Sequence, residues 1–396
     1  MKFFIDDHNF TRNGYYLIGK VKTFSKFDAA ILSKTSGNKI EFIYNDELMS
    51  SYDWAVEPAT DICELYKQRA KQIREKYDYV VIMYSGGIDS QVALDAFLNN
   101  EIHVDEICSF SNAEFESKDS KFNQEIFKTA IPFVESLDLK NLNIKFRHIE
   151  VGSLILNQWA DTFHFNNFHH YTWGPQWHVV RSHLFKQSIE DHVILTKDGK
   201  TVCYVWGFDK PQISLVEDQY IFKFSDLRID ITARQYLNRV ILKDQFSNFY
   251  DETFYLSPDL PELTIKQCHL LVNRLHSISK FDTTLLTLDQ LASGGPYIEH
   301  HIADDGNLKY LSKTLVDQII YPTYTIDEGK NDKVFGSFIF SPRDLWNKGH
   351  PLSEKRRDKI LKLSSNMPEF FDFKNGEINM LRAISSKNYI IGEQLT

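Results

Sequence analysis

Two spacings of apolar residues organise this chain. Ile62, Leu65, Tyr66, Ala70, Ile73 and Tyr77 recur every three or four positions, the period of one helical face, and lead into the unbroken run Tyr79-Val80-Val81-Ile82-Met83-Tyr84. A short β-branched run without alternation predicts a strand buried on both faces, as in parallel sheets. Gln91 to Leu98 predicts the helix that follows it. The alternation then continues with a strand over Val104 to Phe110 and a helix over Asp119 to Leu137, whose Phe122, Ile126, Ala130, Phe133 and Leu137 form one stripe. A strand over Asn143 to Val151, a helix over Gln176 to Ile189 and a strand over Thr201 to Trp206 complete the series. Repeated β-α-β units with right-handed crossovers predict an α/β fold, a doubly wound parallel sheet spanning residues 61–250.

The flanks read differently. Within residues 1–60, Tyr15 to Val21, Ala29 to Leu32 and Lys39 to Tyr44 predict short strands in a small β-rich appendage. Residues 251–396 predict a mostly helical carboxy-terminal substrate or partner region, with helices over Leu263 to Ser279 and Thr314 to Ile320. Its tail after Pro342 is more basic, carrying Arg343, Lys348, Lys355, Arg356 and Arg357 around Trp346.

Composition narrows the class. A formal net charge of −9 argues against a large sequence-independent contact with nucleic-acid phosphates. Cys63, Cys108, Cys203 and Cys268 lie far apart and form no CxxC pair, which suits a reduced, cytoplasmic protein. The amino terminus turns acidic at Asp6-Asp7, and no apolar run approaches a membrane span.

The chemistry concentrates at Ser85-Gly86-Gly87-Ile88-Asp89-Ser90, between the first long strand and its helix. Two glycines permit a tight turn, two serines add hydroxyls, and the helix that follows presents its first N–H groups and positive dipole end. Such a nest binds phosphate. The spacing is not that of the common P-loop, which ends in Gly-Lys-Ser/Thr. It matches SGGxDS, and here the chain resembles the PP-loop ATP pyrophosphatases, also called adenine nucleotide alpha hydrolases, which include asparagine synthetase and NAD synthetase.

That resemblance implies ATP and Mg²⁺ as cofactors. The loop would hold the β- and γ-phosphates as a pyrophosphate leaving group while a substrate oxygen attacks the α-phosphorus. Ser85, Gly86, Gly87, Ile88, Asp89 and Ser90 would bind the nucleotide, with Asp89 also a metal ligand and catalytic group. Trp206-Gly207-Phe208-Asp209-Lys210-Pro211 resembles the family's second motif: Gly207 and Asp209 would lie by the phosphates, Asp209 on the metal, and Lys210 on the growing pyrophosphate charge. A surface turn ending in Pro is the plainer reading of that segment. Ser109-Phe110-Ser111-Asn112 matches the family's adenine site in position but not in a diagnostic sequence, which makes Ser109 and Ser111 cofactor-binding candidates, with a simple strand-ending turn the equal alternative.

Thr162 to His192 is rich in aromatic residues and histidines, among them His164, His169, His170, His178, His183 and His192. His178 and His183 are badly spaced for one helix face, so an aromatic and imidazole wall around a nucleotide or planar substrate is preferred to zinc, with partly buried core packing an equal alternative. Arg181 is the candidate anchor for a phosphate or carboxylate. With Lys2 in place of a catalytic cysteine, the resemblance implies a member without its own glutaminase domain, which leaves room for a separate amine or ammonia donor protein. The expected activity is an ATP-dependent ligase that adenylates an oxygen of a small-molecule substrate for attack by an amine or ammonia. A nucleoside-modifying adenylating enzyme and a non-catalytic nucleotide-binding regulator are the alternatives.

Overall fold

The computed structural model describes residues 14–23, 26–111, 118, 125–150, 190–207, 210–211, 213–226, 248–277, 320–322, 371–374, 377–381 and 384–393. Near the amino end, β1 (Tyr15–Ile18) pairs antiparallel with β2 (Val21–Thr23) and β3 (Ile40–Ile43). Between β2 and β3 the chain forms a helix, Lys26–Ser36. This corrects the strand expected at Ala29 to Leu32: four apolar residues fit either period, and Ala29 packs inward from a helix.

The parallel sheet begins with the helix Ile62–Lys76, whose Asp61 caps it by accepting the Cys63 N–H at 2.8 Å. Its apolar face buries Ile62, Leu65, Tyr66, Ala70 and Ile73. It leads to β4 (Tyr79–Met83), after which the Ile88–Leu98 helix, β5 (Glu106–Ser111), β6 (Lys145–Glu150) and β7 (Val202–Trp206) follow in order. The hairpin β8 (Ile213–Val216) and β9 (Gln219–Phe222) precedes β10 (Phe249–Thr253), which returns to the sheet. The five strands lie in the order β10-β7-β4-β5-β6 and every pairing is parallel. This is an α/β fold. The fifth strand straddles the boundary expected at residue 250.

β4 and β7 are almost wholly buried, as strands covered on both faces must be. Between β5 and β6 the described part of the expected Asp119–Leu137 helix is a π-helical turn, Ile126–Ala130, continuing as Ile131–Ser136. Such turns recur beside functional sites. The helix expected over Gln176 to Ile189 lies outside the described residues; Glu190–Lys197 is helical.

The carboxy-terminal region contains more strand than expected. The helix Pro261–Ser277 is present, but β11 (Phe371–Lys374) and β12 (Glu377–Leu381) pair, and β13 (Tyr389–Glu393) joins β9 in a three-stranded antiparallel sheet. Of the helix expected at Thr314 to Ile320 only Ile320 is described, and the basic tail from Pro342 to Arg357 lies outside the described residues. A second core packs Tyr16, Phe42, Tyr44 and Trp54 against Phe222, Phe224, Ile265, Val272 and Tyr389. The amino-terminal segment therefore shares its core with the carboxy-terminal elements. The buried Arg69 joins the parallel sheet to the Ile62–Lys76 helix, donating to Glu252 Oε2 at 2.8 Å and to the Thr253 and Phe254 carbonyls.

Candidate nucleotide site

The Ser85–Ser90 loop leaves the carboxyl end of β4, and Gly87 caps the Ile88–Leu98 helix. Gly86 has φ +84, which favours glycine, and a Cβ there would meet Ala130 N at 2.8 Å and Glu125 O at 2.9 Å. A Cβ on Gly87 would meet Glu125 Oε1 at 2.5 Å. The glycines thus let the loop lie directly against the π-helical turn, from Glu125 before it to Ala130 at its end. The two serines close the loop: Ser85 N–H donates to Ser90 Oγ at 3.2 Å, Gly87 N–H to Ser85 Oγ at 3.2 Å, and Ser90 Oγ to Gly87 O at 2.9 Å. Ile88 points into the core, so its contribution to the loop is through the backbone.

Gly207 follows β7, the neighbour of β4. A Cβ there would lie 2.6 Å from Asp89 O and 2.7 Å from Ser90 Cα, so glycine is what allows the end of β7 to touch the helix start. Lys210 lies three residues on. Its Nζ is 2.9 Å from Asp89 Oδ1 and the residue is 4% exposed. Tyr321 donates to the same oxygen at 2.7 Å, and its ring lies under the Lys210 ammonium, 5.4 Å from Nζ to centroid. Burial first, then the Asp89 charge, pushes the Tyr321 phenol up, which keeps it a donor. Tyr255 donates to the Asp89 carbonyl at 2.6 Å, and Tyr66 holds the Ile320 carbonyl at 2.6 Å. Of these three tyrosines, Tyr321 alone holds the carboxylate, Tyr255 holds the Asp89 backbone, and Tyr66 holds the residue before Tyr321.

The structure therefore brings together Ser85, Gly86, Gly87, Ile88, Asp89, Ser90, Gly207 and Lys210. Asp209, Arg181 and Asn112 lie outside the described residues, as does the aromatic stretch from Thr162 to Ile189. Ser109 is fully buried and its hydroxyl holds the Tyr84 carbonyl at 2.6 Å, fastening β5 to the root of the loop. Ser111 lies at the carboxyl end of β5, bonded to Glu150 and 3.0 Å from His148 Nε2. Tyr255, Tyr321 and Glu125 were not singled out from the sequence. No motif surrounds them; their place follows from tertiary contacts.

Another polar cluster sits at the opposite, amino end of the strands. Glu106 receives Arg147 Nε at 2.6 Å, His192 Nε2 at 3.0 Å and the Tyr79 hydroxyl at 3.0 Å, while Arg147 also donates to Asp191 at 2.7 Å. Glu106, Asp191 and His192 come close enough to share a metal ion. Arg147 and Lys145 already supply positive charge to both carboxylates, which marks a structural ion network. His192 belongs to this network and not to a wall around the Ser85–Ser90 loop. Cys108, Cys203 and Cys268 are buried free thiols and Cys63 is exposed. Among the described residues no helix is long and apolar enough to cross a membrane.

Comparisons with protein-family models, with curated proteins and with solved structures found no match.

Proposed function

We propose that the protein is an ATP-dependent, AMP- and pyrophosphate-forming ligase built on a doubly wound sheet, with the nucleotide phosphates held by the Ser85–Ser90 loop. The observation that carries the reading is the meeting of Asp89 and Lys210 across the carboxyl ends of β4 and β7. In chain order the strands run 3-2-1-4-5, so the order reverses between β4 and β7, and open α/β sheets bind ligands in that crevice.

The donor set fits a phosphate chain with its metal. Ser85 offers a hydroxyl, the loop and first helical turn, shaped by the buried Ser90, offer N–H groups, and Lys210 offers a buried cation. Asp89, with Glu125 as a second carboxylate beside Gly87, supplies the oxygen ligands that Mg²⁺ prefers. Bound there, Mg²⁺ would neutralise charge developing on the leaving pyrophosphate. Lys210 adds a second positive group, already aimed and desolvated, so little reorganisation is needed as the charge grows. Tyr321 and Tyr255 hold the side chain and the carbonyl of Asp89, which fixes the carboxylate that faces Lys210 and would hold Mg²⁺.

The second substrate is a small molecule with an oxygen that can be adenylated, and an amine or ammonia completes the reaction. The direct test is calorimetry of ATP with Mg²⁺ against wild type and a folded Gly86→Val protein. Binding by wild type and its loss in the variant is the expected result. Equal affinity in both would remove the loop from nucleotide binding.

A further inference from the structure

The 254–256 segment, just after β10, is shared by the two cores. Phe254 and Tyr255 pack into the core around the parallel sheet, and Leu256 packs into the second core with Tyr44, Trp54 and Phe224. The sheet side is tied down at Phe254, whose N–H donates to the Trp206 carbonyl at 3.0 Å and whose carbonyl accepts from Arg69 Nε at 3.2 Å. On the other side the Leu256 carbonyl accepts from the Thr253 hydroxyl and from the Tyr44 hydroxyl, each at 2.8 Å. Tyr44 follows β3, 212 residues away in sequence, and is fully buried, with its ring centroid 4.2 Å from that of Phe224. Phenylalanine would fill the same space, so a hydroxyl at this depth is there for its partner.

Between these two anchors stands Tyr255, whose hydroxyl donates to the Asp89 carbonyl at 2.6 Å in the first turn of the Ile88–Leu98 helix. Tyr255 is itself fully buried, and its own carbonyl accepts from the Thr264 hydroxyl at 3.2 Å. A buried segment fixed on both sides leaves its middle side chain little freedom. The bond that ties Leu256 to the amino-terminal segment therefore also sets where the Tyr255 hydroxyl stands. We propose that Tyr44 is a positioning residue for the Ser85–Ser90 loop, acting through the Leu256 carbonyl and the Tyr255 hydroxyl on Asp89. The amino-terminal segment is thereby part of the site and not an appendage to it. The consequence for ATP rests on the proposed nucleotide reading, but the coupling of Tyr44 to the loop does not. Loss of the Tyr44 hydroxyl leaves the Leu256 carbonyl its Thr253 partner, so the protein stays folded while the tie between the two cores slackens.

The coupling is read by amide hydrogen exchange, measured by mass spectrometry on the full chain without ATP over peptides spanning residues 85–93. Tyr44→Phe and Tyr255→Phe should each speed exchange there by about three- to tenfold, the scale of one net hydrogen bond. The double variant should exchange no faster than Tyr255→Phe, because Tyr44 acts through that hydroxyl. Tyr16→Phe is the control. It removes a hydroxyl bonded to Asp226 Oδ2 at 2.9 Å in the same second core, and should leave the loop at the wild-type rate. Loop exchange unchanged by Tyr44→Phe, equal acceleration in Tyr16→Phe, or additive effects in the double variant would overturn the proposal and leave Tyr44 a structural tyrosine. Calorimetry with ATP and Mg²⁺ should show weaker binding by Tyr44→Phe than by Tyr16→Phe, and equal weakening in the two would also overturn it. If the wild type binds no ATP while the exchange pattern holds, the nucleotide reading fails and the coupling stands.

Discussion

Lys210 Nζ and Asp89 Oδ1 lie 2.9 Å apart, the ammonium coming from the turn after β7 and the carboxylate from the helix start after β4. Neighbouring parallel strands deliver their loops to the same edge of the sheet, so the pairing follows from β4 and β7 being adjacent. Gly207 makes the approach close enough. The consequence is a cation held beside the loop before any ligand arrives.

Replacing Lys210 with Ala should lower kcat by about 10²-fold or more, with a much smaller change in ATP affinity, because a preorganised charge counts most as charge develops. Breaking a fully buried pair costs about 3–5 kcal/mol. Here the Asp89 side chain is 20% exposed and keeps the Tyr321 hydroxyl, so the loss should fall below about 3 kcal/mol. Urea unfolding beside steady-state kinetics separates the two effects. Normal turnover would make Lys210 a structural partner of Asp89.

Tyr321→Phe removes one hydroxyl and leaves the ring under Lys210. A hydrogen bond to a charged group contributes about 1.5–3 kcal/mol, and stability should drop towards the lower end because Asp89 keeps Lys210. The requirement for Mg²⁺ should rise, since Asp89 loses one of the groups that orient it. An unchanged Mg²⁺ titration would show that Lys210 alone positions the carboxylate.

Gly207→Ala places a methyl against two backbone atoms, neither of which can rotate away. Overpacking of this kind costs about 1–3 kcal/mol, and the displaced Asp89 should weaken ATP binding as well. Gly392→Ala is the control, because its Cβ would enter open space and should change stability by no more than about 0.5 kcal/mol. Equal thermal midpoints for the two variants would mean that β7 does not press on the helix.

Acid stability should be governed by the network at the amino ends of the strands. Burial raises the Glu106 carboxyl, but hydrogen bonds from His192 and Arg147 together outweigh it and hold the group low. Burial likewise acts against Asp191, whose bonds to Lys145 and Arg147 bring it down to about 2. Both are depressed on folding, so their contribution is complete above the unfolded value of about 4 and fades as the pH falls towards about 2. Asp191→Asn should be less stable than wild type at neutral pH, and the gap should shrink across that window in urea titrations. A constant gap from pH 6 to pH 2 would dissociate Asp191 from acid unfolding.

β4 and β7 were legible because they are nearly continuous apolar runs, and the Ile62–Lys76 helix because its stripe is unbroken, whereas β10, with Asp251 and Glu252 inside it, was not expected from the sequence. Lys210 was placed beside the loop by the resemblance of its segment to a second motif, and the pairing of β4 with β7 is what brings it there. Ala29 to Leu32 was not legible, because four residues do not distinguish a period of two from one near four. β13 is short and takes its place from pairing with β9, and Tyr321 reaches Asp89 from 232 residues away. Contacts of that range leave no local pattern.

The most direct test of the account is the identity of the products when purified protein turns over ATP with Mg²⁺ in the presence of a metabolite extract. Chemistry at the α-phosphorus predicts AMP and pyrophosphate in equal amounts, falling together in Lys210→Ala. ADP with orthophosphate, or bound ATP recovered intact, would contradict it.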